Sequence, residues 1–550
     1  MRNDKKIEKK QYRSLVTGSW LLVTVNWLLL TANCLAQQTV TSPQLVVSIV
    51  VDQLRGDYLH YFSPTFGERG FKRLMNEGLV YYSVDFGFPN KSGAASIASI
   101  YTGAYPSENG ITSDTKYDLT TNRVVSIVAD DSYLGNYTSD RLSPMALLAS
   151  TIGDELKIAT QGKSQVIAIA PNAAEAIVAG GRSATCALWL DDYNGRWATS
   201  TYYKDVPRFV DRYNSTEAPA NFSEKVWQQS LSHYTGFPYT KRTSQFSHKF
   251  SKSNQDYRRF KQSALINTEV TNLATYIINQ TPYRTTVAPD FLALTYYAGN
   301  YRYGKEPEEY SYEVQDTYYR LDKELEKLFD HLERRIGLRH VLIILASTGY
   351  YDELASTISA GSMTGSSVIA AGEFYPERCK ALLNMYLMAM YGQGNWVLAY
   401  HDHQIYLDKK LAEDKKINRK ELIQNATDFV AQFSGVQSCR GVSHTSSSTD
   451  LPENKGINTK ISGDLFIDLQ PGWTEMNAQN QAKDYSRNDA ILAPLFIFGD
   501  NLKHQQIYRQ IKATEIAPTV SSILRIRSPN ASKDVPLLDV IAGLTRNPMK

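Results

Sequence analysis

Three features of this chain could do chemistry: a carboxylate, a serine and a pair of histidines. Asp52 ends the apolar run LVVSIVV in LVVSIVVDQLRGDYL. A carboxylate at a strand's carboxyl end stands where open α/β sheets place their ligand sites. Ser92, in NKSGAASIASIYTG, offers a hydroxyl nucleophile. A Ser–His–Asp hydrolase would need that serine on a sharp strand-to-helix turn, which NKSG matches only loosely. His401 and His403 flank Asp402 in YHDHQIYL. On an extended segment they would share a face and could hold a metal; in a polar loop leading into a strand they would not. His444, in GVSHTSSSTD, reads as solvent-facing in a Ser/Thr-rich loop.

The elements that must position these residues follow from periodicity. Residues 45–51 are almost wholly apolar and β-branched, the pattern of a strand buried on both faces of a parallel sheet. Helices are expected at 70–78 and from 91–93 to 103, so Asp52 and the second helix start could meet at one sheet edge. Further core strands read at 165–170, 290–297, 340–346 and 492–498, and helices at 145–156, 269–279, 312–336 and 516–524. Arg320 and Glu324 read as an i,i+4 pair on a solvated face. A hairpin spans 184–203, turning at the Asn194–Gly195 pair. Two stretches break the core pattern and read as cap-like insertions, at about 204–266 and 354–485. The expected architecture is a three-layer α/β/α sandwich with a mostly parallel central sheet.

Composition narrows the function class. Among 550 residues, 42% are hydrophobic and the net charge is +3, too small a balance to imply nucleic acid. Several of the positive charges (Lys5, Lys6, Lys9, Lys10, Arg13) belong to a leader-like start. A basic beginning, an apolar run at 20–30 and small residues near Ala36 read as a signal peptide over 1–36, followed by a polar linker at 37–43. An uncleaved anchor and a lipoprotein modified at Cys34 are the weaker alternatives. Cleavage would leave Cys186, Cys379 and Cys439, whose spacing fits no zinc pattern. A Cys379–Cys439 disulfide and three separate thiols both remain open.

VVDQLRGDYL, GFKRLMNEG, YTGAYPSENGI with Tyr117–Asp118, TSTYY at 199–203, DTYYRLDKEL at 316–325 and TEIAPTVSSILRI at 514–526 resemble the alkaline phosphatase superfamily. The similarity is nearest to phosphate-irrepressible alkaline phosphatases and phosphodiesterase/nucleotide pyrophosphatases of Gram-negative envelopes. Active members hold two zinc ions with Asp and His side chains and attack phosphorus with a Thr or Ser at a helix start. Carried over by flanking residues, Asp52 is retained and the nucleophile position falls on Gly93, with Ser92 one residue early. The remaining metal positions fall on Asn300, Gly304, Thr348, Gly349 and Leu492. A phosphate-contacting Asn becomes Asp114, and a phosphate-holding Lys and Arg become Asn172 and Ala174.

One surviving carboxylate cannot hold two zinc ions, because a tetrahedral site needs three or four protein ligands. No cofactor is therefore expected. The resemblance and its replaced residues imply an exported, catalytically inactive protein of the periplasm or cell envelope. It would act as a binding or scaffolding subunit with another envelope protein, and would reach a membrane only through that partner. A divergent phosphatase or phosphodiesterase using Ser92 and one metal on Asp52, and a protein that binds sugars or lipid headgroups, are the alternatives. Without metals, Asp52 is expected to accept backbone N–H bonds from the helix that begins near Gly93. Tyr296, Tyr297, Tyr301 and Tyr303 are expected to crowd the former pocket and offer a binding face.

Overall fold

The computed structural model describes residues 43–88, 93–204, 206–222, 224–231, 245–281, 288–299, 311–352, 372–442, 455–470, 473–477, 486–487, 492–500 and 502–537. The leader-like segment, Ser92, Asn300, Tyr301, Tyr303, Gly304 and His444 lie outside them.

Ten strands form the central sheet: β1 (Leu45–Asp52), β2 (Leu79–Tyr81), β3 (Gly135–Asn136), β4 (Val166–Ala170), β5 (Cys186–Leu190), β6 (Trp197–Ser200), β7 (Asp290–Tyr297), β8 (Val341–Ser347), β9 (Leu495–Phe498) and β10 (Gln505–Ile507). Their order is β10-β2-β9-β8-β1-β7-β4-β5-β6-β3. β1 pairs in parallel with β7 and β8, β7 with β4, and β4 with β5, whereas β9 and β6 run antiparallel to their neighbours. Every residue of β1, β4, β5 and β8 is buried. Strands covered on both faces need no polar side, which explains the unbroken apolar runs.

Helices close both faces. On one, α1 (Gly93–Thr102) packs against α2 (Ala173–Gly180) and the helix Ile516–Leu524. On the other, α3 (Leu265–Gln280) lies against α4 (Ser311–Arg335). The sandwich architecture is thus present. Among the described residues, no helix is long and apolar enough to cross a membrane.

Two local expectations are corrected. Residues 145–156 do not make one helix: a 3-10 turn spans Pro144–Ala146, and the helix starts only at Ile152. Thr151 sets that start, because its side chain accepts from Asp154 N while Asp154 answers its own backbone N–H. Arg320 does not pair with Glu324. It reaches back to buried Asp316, its Nε donating at 2.6 Å, while Glu324 accepts from Thr268 Oγ1 at 2.7 Å. That face of α4 is covered by α3 and by the strand Glu224–Gln228, so its charges turn inward to partners.

The 204–266 stretch shares the main core, to which it supplies Tyr213, Trp227, Phe250 and Phe260. The second stretch builds a core of its own. The helices Pro376–Tyr391 and Arg419–Val430 pack on a four-stranded sheet of Val397–His401, Gln404–Leu407, Leu465–Leu469 and Val436–Gly441, around Leu383, Trp396 and Ile467. Cys379 and Cys439 both belong to this second cluster as free thiols.

Candidate functional site

Asp52 closes β1 and is 8% exposed. Register fixes its surroundings: β7 sets Tyr297 beside it, and β8 sets Ser347 beside Val51, so the chain leaving β8 passes the carboxylate. Thr348 donates its hydroxyl to Asp52 Oδ1 at 2.7 Å and accepts the Gln53 backbone N–H at 2.9 Å. Gln53 Nε2 donates to Asp52 Oδ2 at 3.4 Å. Gln53 itself holds a φ of 61°, a left-handed conformation uncommon outside glycine. The Thr348 bond holds it there.

α1 begins against this carboxylate. A Cβ on Gly93 would stand 3.2 Å from Asp52 Oδ1 and 3.4 Å from Glu175 Oε1. The Ala94 backbone N–H donates to Asp114 Oδ1 at 2.9 Å. Asp114, not Asp52, therefore accepts from this helix start. Asp52 is turned instead toward the side chains of Thr348 and Gln53.

α2 begins at the same space. Asn172 precedes it, exposed, and its Nδ2 donates to Glu175 Oε1 at 2.8 Å; Ala174 is buried beside it. Glu175 is 5% exposed, and its Oε2 is buried with no hydrogen-bond partner. Sequence reasoning missed Glu175. The tetrapeptide NAAE reads as a capping box, in which the Glu would turn back to its own helix's first N–H groups. The usable signal was an acid inside AAEAIVAG, among residues that are otherwise small or apolar.

Three carboxylates therefore converge. Burial raises the Asp52 carboxyl to about 6; the Thr348 hydroxyl pulls it down, and the charge of Asp114 pushes it up. Burial, then the charge of Asp52, raise Glu175 to about 8, with Asp114 adding to the rise and the Asn172 bond opposing it. Asp52 and Glu175 titrate as a pair. The two helix starts supply roughly half a positive charge each, so they offset about one of the three carboxylates.

The other positions that the resemblance singled out carry little donor chemistry. Gly349 has no side chain and donates its N–H to Ser347 Oγ at 3.0 Å. Leu492 is 45% exposed, and its carbonyl accepts the Gly56 N–H at 2.9 Å. A two-zinc centre needs several nitrogen, sulfur or carboxylate ligands per ion. Asp52, the Thr348 hydroxyl and the bare backbone at Gly349 do not fit one. Among the described residues, no group of three or more His, Cys, Asp or Glu is placed to hold a metal ion.

Tyr296 does not join a binding face. It is fully buried under α3, its hydroxyl 3.0 Å from Thr271 Oγ1, because alternation along β7 turns it away from the face that Asp52 and Tyr297 share. His401 and His403 part company as well. Asp402 and His403 have φ of 52° and 58° and form a hairpin turn rather than an extended segment. His401 Nε2 lies 3.0 Å from Thr115 Oγ1, and His403 Nε2 lies 3.6 Å from Glu475 Oε2.

The family described as Type I phosphodiesterase / nucleotide pyrophosphatase matches residues 46–490. Alkaline phosphatase PhoV of Synechococcus elongatus is 29% identical, across 92% of this chain and 94% of PhoV. Alkaline phosphatase PafA of Elizabethkingia meningoseptica is 28% identical, across 92% of this chain and 96% of PafA. The crystal structure of wild-type PafA superposes with a TM-score of 0.78 at 26% identity, covering 91% of this chain and 99% of that one. A PafA variant substituted at a Thr, an Asn, a Lys and an Arg superposes with a TM-score of 0.75.

Proposed function

We propose, from the premise that this chain belongs to the type I phosphodiesterase / nucleotide pyrophosphatase family, that its site binds rather than hydrolyses. The observation that carries this reading is the meeting of Asp52, Asp114 and Glu175 at the start of α1, where Gly93 brings no nucleophile. Sequence separations support the assignment of these positions. The Thr and Asn of the PafA variant are as far apart as Gly93 and Asp114, and its Lys and Arg as far apart as Asn172 and Ala174.

Near neutral pH Glu175, raised to about 8, is mostly protonated, but a phosphate dianion would still meet the charge of ionised Asp52, each unit pair at 4 Å costing on the order of 4 kcal/mol at an effective dielectric of about 20. In hydrolytic chemistry of this kind metal ions neutralise such charge, and the residues at the corresponding positions here are poor ligands. The basic, apolar leader-like start favours export to the envelope, with another envelope protein as partner.

A second reading, a divergent phosphate-ester hydrolase, is favoured by a different observation: relatives named as alkaline phosphatases match 92% of this chain. One experiment separates the two. Protein purified without chelators is analysed for zinc and assayed on an aryl phosphate. Binding without hydrolysis predicts less than stoichiometric zinc and turnover no faster than buffer. Two zinc ions per chain with metal-dependent turnover would establish the hydrolase.

A further inference from the structure

We infer that the outer ring face of Tyr508, at the edge of the central sheet, takes a sugar ring of a neutral oligosaccharide. This site is separate from the residues around Asp52 and does not rest on the reading given for them.

The platform is assembled from three segments. β10 is the terminal strand of the sheet and pairs in parallel with β2, Tyr81 beside Ile507. The next residues, Tyr82 and Tyr508, therefore leave the two strands side by side. Their rings stack, with centroids 4.9 Å apart and planes 13° from parallel. His60, exposed on the helix Gly56–Phe62, stacks on Tyr82 in turn, at 5.6 Å and 26°. Burial, and then the Tyr508 phenol, hold the Tyr82 phenol above its ordinary value, so the two hydroxyls stand near each other. Tyr82 is half-buried, whereas Tyr508 is 73% exposed. One face of the Tyr508 ring lies on Tyr82, and the other is open to water.

The residues around that ring choose its ligand. Gln505, Gln506 and Gln510 flank it in the run QQIYRQ, and all three are exposed. Gln506 Oε1 accepts from the Tyr508 hydroxyl at 2.9 Å, which leaves its Nε2 to donate. A carboxamide both donates and accepts, as sugar hydroxyls do. A pyranose offers an apolar C–H face to the electron-rich face of an aromatic ring and a hydroxyl rim to such amides. Ligand sites commonly combine an aromatic surface with a few placed polar groups in this way. An aromatic face also draws cations, but residues 501–514 carry Lys503, Arg509 and Lys512 and no acid, a balance that repels them.

The test titrates cellohexaose and maltohexaose into the full-length protein by calorimetry. Sorbitol is the control that keeps the hydroxyls and lacks the ring; adenosine is the control that brings a flat aromatic ring. Saturable binding of at least one hexaose, with none of sorbitol, is the expected result. Tyr508→Ser removes the platform and leaves Tyr82 on His60, and should weaken hexaose binding by about tenfold. Tyr508→Phe keeps the ring and should weaken it less. Circular dichroism and thermal unfolding of both variants run alongside. Absence of saturable binding of either hexaose to the wild-type protein overturns the inference. So does a Tyr508→Ser variant that unfolds at lower temperature yet binds hexaose as well as wild type, since the ring then only pins the edge strand. Adenosine binding that is tighter than either hexaose and lost in Tyr508→Ser overturns it in favour of a nucleobase.

Discussion

Buried acids occur in two parts of this molecule, and they are treated differently. In the α3–α4 layer Asp316, Asp322 and Glu269 are answered, while Glu324 Oε2 has only the Lys327 ammonium at 3.9 Å. Asp316 accepts from Trp227 Nε1 at 2.6 Å, Ser230 N at 2.8 Å and Arg320 Nε at 2.6 Å. Asp322 accepts the Phe71 and Gly67 backbone N–H groups at 2.9 and 2.8 Å. Glu269 accepts from Trp197 Nε1 and the Tyr213 hydroxyl, both at 3.1 Å. At the strand ends, burial and the charge of Asp114 raise the Asp52 carboxyl, burial and the charges of Asp52 and Asp114 raise Glu175, and Glu175 Oε2 has no donor. The first set ties loops and insertions to the helices. The second is arranged against stability, with a like charge beside each carboxyl.

Asp316→Ala should have the largest effect: it orphans an indole N–H, a backbone N–H and a guanidinium together, and should destabilise by about 3 to 5 kcal/mol in chemical denaturation. An effect as small as that of a surface substitution would mean that the answered acids are not structural.

Glu175→Gln should have the opposite sign. The folded-state value of Glu175 is raised from 4.5 to about 8. Its contribution to stability is therefore fully present below the ordinary carboxylate range and is lost as pH rises through about 8. The variant should match wild type near pH 5 and exceed it by about 1 to 3 kcal/mol at pH 8.5. Parallel stability curves across that range would show that Glu175 is satisfied after all.

Asp52 should be the mildest of the three sites. Asp52→Asn keeps a carbonyl oxygen for the Thr348 hydroxyl and should shift stability by roughly 1 kcal/mol or less. Asp52→Ala leaves that hydroxyl the longer bond to the Gly349 carbonyl at 3.3 Å and should cost about 1 to 3 kcal/mol. If the Asn variant proves as damaging as the Ala variant, the charge itself is structural and Asp52 belongs with the answered acids.

Much of the frame was legible because buried parallel strands leave an uninterrupted apolar signal. The run ending at Asp52, VIAIA at Val166–Ala170 and DFLALTYY at Asp290–Tyr297 all read directly as strands. The site was legible only in part. Asp52, Thr348, Gly349 and Leu492 could be singled out by their flanks, but Glu175 was hidden behind a pattern that also spells a helix cap. The direction of Tyr296 was lost because a tyrosine pair at a strand end does not say which ring faces the helices. Arg320 had acids four residues away on both sides, and only tertiary packing decided for Asp316.

If Asp52, Asp114 and Glu175 keep the site from holding an anion, phosphate should not bind where the relatives are named alkaline phosphatases. Calorimetric titration of inorganic phosphate at pH 8 tests it most directly, with wild-type protein and Glu175→Gln side by side. The expected result is no saturable phosphate binding to the wild-type protein at about millimolar concentration, and at most weak binding to the variant. Saturable micromolar binding of phosphate to the wild-type protein, abolished by Asp52→Ala, would contradict it.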